Sequence, residues 1–179
     1  LMTRLSPPTM IIVAQFLKHV KDGICIITGK VTAPCPDCGG RMNVHGRCRR
    51  YVRNESGQRE ELSLRVLYCP KCHRYHRELP DYVIPYKHLC AKIFAEAYDA
   101  TKNYCVDDHT AAGLRRWIKD FFRFGAATVR RLKLEHPTLV TNYDTFSTLD
   151  KLRYFVRVVV NVGEWKSTSS RILSGLSMI

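Results

Sequence analysis

Cys35-Pro36-Asp37-Cys38 and Cys69-Pro70-Lys71-Cys72 decide how this chain is read. Each is a Cys-x-x-Cys set in turn chemistry, and 30 residues lie between the two pairs. Thiolates are soft donors, and zinc takes four of them as a tetrahedron. Two such turns facing each other fill every coordination position, which predicts one structural Zn2+ held by Cys35, Cys38, Cys69 and Cys72. The spacer is longer than a compact zinc site needs, so it must hold structure of its own.

That structure is legible as a period of two. Leu62, Leu64, Val66 and Tyr68 fall on one face of a strand, with Ser63 and Arg65 on the other. Asn54-Glu55-Ser56-Gly57 reads as a turn, and 44–53 as the antiparallel partner. An antiparallel hairpin standing on two cysteine knuckles is a zinc ribbon. Gly39 suits the positive φ of the first knuckle, and His73 takes the equivalent place in the second. His45, His73 and His76 are near enough in sequence to compete as ligands, but four cysteines complete the site. All three are therefore expected at the surface or facing DNA.

Outward from the ribbon, residues 1–9 read as a loose leader, with Met10 as the natural start. A short strand over 10–13, a brief helix over 15–21 stopped by Asp22-Gly23, and a β-branched run over 24–28 follow. After Pro80 and Pro85 the period turns helical. Leu89, Ile93 and Ala97 mark a helix over 86–101, with Pro85 near its first turn. Thr110 is the expected N-cap of a second helix with Leu114, Trp117, Ile118 and Phe121 inward. Gly125 ends or bends it, and 126–134 adds a turn or two. A helix over 145–160, stopped by Asn161 and Gly163, and a short one over 165–176 complete the chain. The expected class is α+β: a small N-terminal four-cysteine zinc ribbon followed by a mainly helical, helix-turn-helix-like domain. Its segments are 1–30, packing on the ribbon; 31–82, the ribbon; 83–136, the DNA-binding domain; and 137–179, core or partner docking.

The charge balance names the partner class. Lys plus Arg number 29 against 16 Asp plus Glu, a formal charge of +13. A polyanion relieves that self-repulsion, and double-stranded DNA is the leading candidate, with RNA an open variation. Arg41, Arg47, Arg49, Arg50 and Arg53 on the ribbon form one candidate nucleic-acid-binding set; Arg115, Arg116, Lys119 and Arg123 on the second helix form the other. No cleavable signal peptide and no membrane-length apolar run is visible, which favours a reducing cytoplasm, close to the nucleoid. Cys25, Cys48, Cys90 and Cys105 read as small apolar side chains.

Enzymatic readings fail on missing parts. Pro34-Cys35-Pro36-Asp37-Cys38 matches half of a zinc-deaminase signature, but upstream His19-Val20-Lys21 lacks the glutamate that moves protons. No Gly-rich phosphate loop is present.

The cysteine turns, Val44-His45-Gly46, the basic strand and Glu78-Leu79-Pro80 together resemble the zinc-ribbon head of bacterial insertion-sequence transposases. Leu79-Pro80-Asp81-Tyr82-Val83-Ile84-Pro85-Tyr86-Lys87, followed by Leu114-Arg115-Arg116-Trp117, looks like a family of small bacterial mobile-element proteins with a zinc ribbon and a helix-turn-helix-like domain. The resemblance implies DNA binding as an accessory or end-recognition factor beside a transposase or recombinase. Gly113 stands where that pattern has Ser or Thr. Nothing matches a transposase's catalytic acidic triad. A transcriptional regulator of the same architecture and a truncated, divergent transposase are the alternatives.

Overall fold

The computed structural model describes residues 9–101 and 105–163. Among these residues six strands precede three α-helices, a mixed α+β arrangement. The strands are β1 (Thr9–Val13), β2 (Phe16–Lys21), β3 (Ile24–Gly29), β4 (Asn43–Arg53), β5 (Arg59–Cys69) and β6 (Arg74–Pro80). The helices are α1 (Ala91–Tyr98), α2 (Asp108–Glu135) and α3 (Thr148–Asn161), with a 3-10 turn at Tyr143–Thr145 before the last. The expected leader over 1–8 and the helix over 165–176 lie outside the described residues.

The expected hairpin is present as β4 and β5, antiparallel from Asn43↔Tyr68 to Arg53↔Arg59. Its turn is made by Asn54, whose side-chain oxygen accepts from the Ser56 and Gln58 N–H groups, and by Gly57 at φ 75°. Six strands form one sheet in the order β1-β6-β5-β3-β2, with β4 on the other side of β5. The expected boundary at 30/31 thus falls inside a sheet, because β3 pairs in parallel with β5.

Residues 15–21 hold a strand, β2, not the expected helix. Asp22 (φ 51°) and Gly23 (φ 76°) form a two-residue turn joining β2 to β3. An Asp-Gly pair with both φ values positive matches the twist of a hairpin, and this preference overrides a helical stop signal.

One face of the sheet carries Ile12, Cys25, Leu62, Leu64 and Leu79, packed under the helices in a single core with Phe94, Trp117, Phe121 and Phe155. All four expected segments contribute to it. The opposite face holds a small separate cluster of Ile11, Cys35, Met42, Leu67 and Cys69. On that same face Arg65 and Glu78 form a buried two-point ion pair.

The helix expected over 86–101 begins only at Ala91. Its intended first turn is used otherwise: the Arg53 N–H donates to His88 O and the Cys90 N–H to Arg53 O. Asp107, not Thr110, caps α2, accepting the Thr110 N–H at 2.9 Å and the Thr110 hydroxyl at 2.7 Å. α2 then runs unbroken through Gly125 for 28 residues. A Cβ at Gly125 would lie 2.5 Å from Phe155 Cγ, so this glycine permits helix contact rather than a stop. α3 fits its expected span, capped by Ser147 and ended at Gly163 (φ 77°). Arg153 from α3 holds buried Asp81 through two bonds of 2.6 and 2.7 Å. Among the described residues, no helix is long and apolar enough to cross a membrane.

Gly125→Ala gains at most about 1 kcal/mol of helix propensity. Overpacking against Phe155 costs about 1–3 kcal/mol. The variant is therefore expected to unfold at lower urea concentration than the parent, and an unchanged or raised midpoint contradicts the close crossing.

Candidate metal centre and basic surfaces

The first knuckle is folded by its own backbone. The Gly39 N–H donates to Cys35 O and the Cys35 N–H to Gly40 O, both at 2.8 Å, with Gly39 at φ 68°. His73 repeats that conformation at φ 57° in the second knuckle, as expected. The second knuckle is also the turn between β5 and β6, so its position follows from the sheet.

The knuckles meet sulfur to sulfur. Cys35 Sγ lies 3.6 Å from Cys72 Sγ, and Cys38 Sγ lies 3.5 Å from Cys69 Sγ. All four sulfurs are within 4.8 Å of one another, and none is in a disulfide. A tetrahedron with bonds of about 2.3 Å separates its sulfurs by about 3.8 Å. The four cysteines therefore form a site able to hold a metal ion, with a donor set and size compatible with zinc.

The thiols' own electrostatics show why a cation fits. Burial raises Cys35, and it pushes Cys72 up to about 12 with help from the Cys35 and Cys69 thiols. Burial also acts against ionising Cys69, but the Cys72 and Lys71 N–H groups and the Cys38 thiol outweigh it and bring Cys69 to about 7. Cys69 is thus easier to ionise than Cys35 and Cys72, which resist. A divalent cation among them favours the thiolate at every position.

His76 departs from expectation. It is fully buried, neither surface nor DNA-facing, with Nε2 3.3 Å from Cys35 Sγ and Nδ1 bonded to Thr9 Oγ1. Burial lowers its pKa, with Arg74 acting the same way and Asp37 opposing, so the ring is neutral near pH 7. With Nδ1 accepting the Thr9 hydroxyl, the proton would sit on Nε2 and face the Cys35 sulfur, the tautomer that would serve a thiolate there. A bond of that kind, from outside the donor set, would orient Cys35 and offset its charge when a metal is bound. The sequence signal for it is the alternation along β6, which puts His76 and Glu78 inward together. His45 and His73 are exposed.

The basic residues do not form a single patch. Alternation along β4 sends Arg47, Arg49 and Arg53 to the metal face of the sheet and Arg50 to the helix face. Several are already engaged. Arg47 donates to Ser63 Oγ at 2.9 Å, to Ser63 O at 2.7 Å and to Ile27 O. Arg50 donates to Ile84 O at 3.1 Å and Lys87 O at 2.8 Å, Arg49 pairs with Glu61, and Arg115 Nε donates to Ala97 O at 2.7 Å. Arg41 and Arg53 are exposed at either end of β4. On α2, Arg116, Lys119, Arg123 and Arg130 are all exposed, at spacings that keep them within about 60° of arc and along about 21 Å of helix.

An α+β protein with a four-cysteine centre at one end of its sheet is the class this geometry defines. Residues 35–117 match a family model described as a domain of unknown function (DUF6431), a stretch running from the first centre cysteine to Trp117 on α2. No curated protein and no solved structure matches the chain.

Cys69→Ser is expected to lose the bound metal ion, measured as metal per protein after gel filtration. His76→Ala is expected to keep one ion but bind it about 10- to 100-fold more weakly in chelator competition. Outright loss of the ion from His76→Ala would make the histidine a ligand.

Proposed function

We propose that the protein is a non-enzymatic, zinc-dependent DNA-binding protein, an accessory or end-recognition factor in transposition or recombination of mobile DNA. In this reading Cys35, Cys38, Cys69 and Cys72 hold one structural zinc ion. Four protein donors leave no position for a reacting water. The ion would add to a small core at the metal end, where five buried residues cluster among the described residues.

The observation that carries the reading is the stripe of Arg116, Lys119, Arg123 and Arg130 on the outer side of α2. Its inner side is fixed by Trp117, which stacks on Phe121 at 4.9 Å and meets Phe94 edge-on at 5.1 Å. A rigid helix carrying cations on one side suits phosphate neutralisation along a groove. Asp120 sits 3.9 Å from Arg123 in an exposed pair, which offsets little of that field. α1 packs against α2, and this reading takes the pair, with residues 99–107 as a long connection, as its helix-turn-helix-like unit. The role in mobile DNA rests on the resemblance of the cysteine turns and the segment from Leu79 to Lys87 to mobile-element proteins.

Duplex affinity should fall steeply with salt. Substituting Arg116, Lys119 and Arg123 together by Ala is expected to reduce the slope of log affinity against log salt by about 3, measured by fluorescence anisotropy. Wild-type affinity and slope in that variant would remove α2 from the interface. Arg115→Ala belongs to a different class: its loss frees Ala97 O and should lower stability before it changes the salt slope.

A further inference from the structure

A second surface lies on the helix-facing side of the sheet, where the helices stop covering it. The register puts Arg50, Cys48, Leu64, Val66, Arg77, Tyr68 and Tyr75 on one face. Toward Leu62 that face is core. Toward Tyr68 it opens, and a bulge between Val44 and Gly46 turns His45 onto the same rings, 4.9 Å from Tyr75. Tyr68 and Tyr75 are themselves 4.9 Å apart. Bulges commonly re-aim a side chain in this way.

Between this aromatic group and the core is a cavity of about 400 Å³. Leu64, Leu79 and Cys48 line its apolar part, and Arg50, Arg77 and Tyr86 its rim. No carboxylate lines it, and among the described residues neither Arg50 nor Arg77 has an acidic partner. Arg50 Nε is buried without a hydrogen-bond partner. Burial and then the like charge of Arg77 depress the Arg50 guanidinium. Two guanidinium groups border one cavity whose lining carries no counter-charge, an arrangement that suits an anion. The aromatic wall asks for more than an inorganic ion. Tyr86 stands at φ 59°, a conformation costly for a side chain of this kind, with 61% of its surface exposed.

We infer that this cavity takes an unpaired nucleotide of a single-stranded nucleic acid, its base stacked on Tyr86 and its phosphate held between Arg77 and Arg50. Tyr75 lies two residues from Arg77 along β6, a step of about 7 Å. It offers the next base a second platform together with His45. Successive stacking surfaces beside cations are how single strands are bound without reading base edges. A duplex has no free base face to offer here, so the surface complements the α2 stripe and does not duplicate it. The inference rests on the nucleic-acid reading above and would give the protein a grip on a frayed or nicked DNA end.

The test uses the full, metal-loaded chain with a labelled oligothymidylate and a labelled duplex, read by fluorescence anisotropy. Thymidine monophosphate serves as the unlinked probe. Arg77→Ala and Tyr86→Gly are each expected to weaken oligothymidylate binding about tenfold or more, with duplex binding kept. Tyr86→Gly suits the left-handed backbone and should preserve the fold, and Tyr86→Trp should restore binding. The triple Ala variant of α2 should do the converse, weakening duplex binding and sparing the single strand. Failure of the duplex arm alone therefore counts against α2, not against this cavity. The inference is overturned if the parent does not bind oligothymidylate or if both cavity variants bind it normally. Equal loss of duplex binding in those variants also overturns it. Monophosphate binding as tight as the oligomer's would overturn it too, assigning the cavity to a free nucleotide instead.

Discussion

Strand β5 must serve two neighbours along one edge, and the rest of the molecule depends on how that is done. β3 pairs in parallel with it at Glu61–Ser63, and β6 pairs antiparallel at Val66–Cys69. Between them the edge changes hands at Arg65. The buried Arg65–Glu78 pair lies at that junction, and Gly29 at the end of β3 leaves the space it fills. A Cβ on Gly29 would sit 1.9 Å from Glu78 Oε1. Removing one partner of such a buried pair costs about 3–5 kcal/mol, because the other is left charged and dry. The junction also sets where β6 leaves β5, and the strand reaches it from the knuckle at Cys69 and Arg74. Since the β5–β6 turn is the second cysteine knuckle, sheet register and sulfur geometry are a single constraint.

This explains which parts can be read from sequence. The cysteine turns, the β4–β5 hairpin with its Asn54–Gly57 turn, and the left-handed His73 follow from local rules, and local rules suffice for them. Non-local choices stay hidden. The few residues before Asp22-Gly23 do not separate a helical from a strand period, and the pair reads as a stop when it is a hairpin turn. Gly125 looks like a breaker because its reason, Phe155, is 30 residues further along. His76 looks superfluous because four cysteines already complete a tetrahedron. Only the inward side of β6, next to Cys35, shows its use. The arginines of β4 look like one group, though alternation divides them between faces and several already bond to carbonyl oxygens.

The segment from Leu79 to Lys87, conspicuous as a motif, is a strap between the two halves of the molecule. Asp81 is anchored by Arg153, Val83 and Ile84 are fully buried, and Lys87 lies over the Trp117 ring. Tyr86 alone projects. Such a segment tolerates little change for packing reasons, yet it presents one ring to solvent. The sheet is accordingly a plate with different chemistry on its sides: sulfur and a buried ion pair behind, helices and open aromatic rings in front.

At the far border of that plate, Asn161 does something a backbone usually does. Its side-chain oxygen accepts the Ile12 N–H at 2.8 Å, and its amide nitrogen donates to Ile12 O at 3.0 Å. β1 is the terminal strand, and an unpaired strand edge is a template for another chain. One amide side chain, imitating a single rung of a neighbouring strand, occupies the centre of that template. The last turn of α3 thus closes this stretch of the β1 edge to pairing by another strand, through a residue remote from both metal and charge.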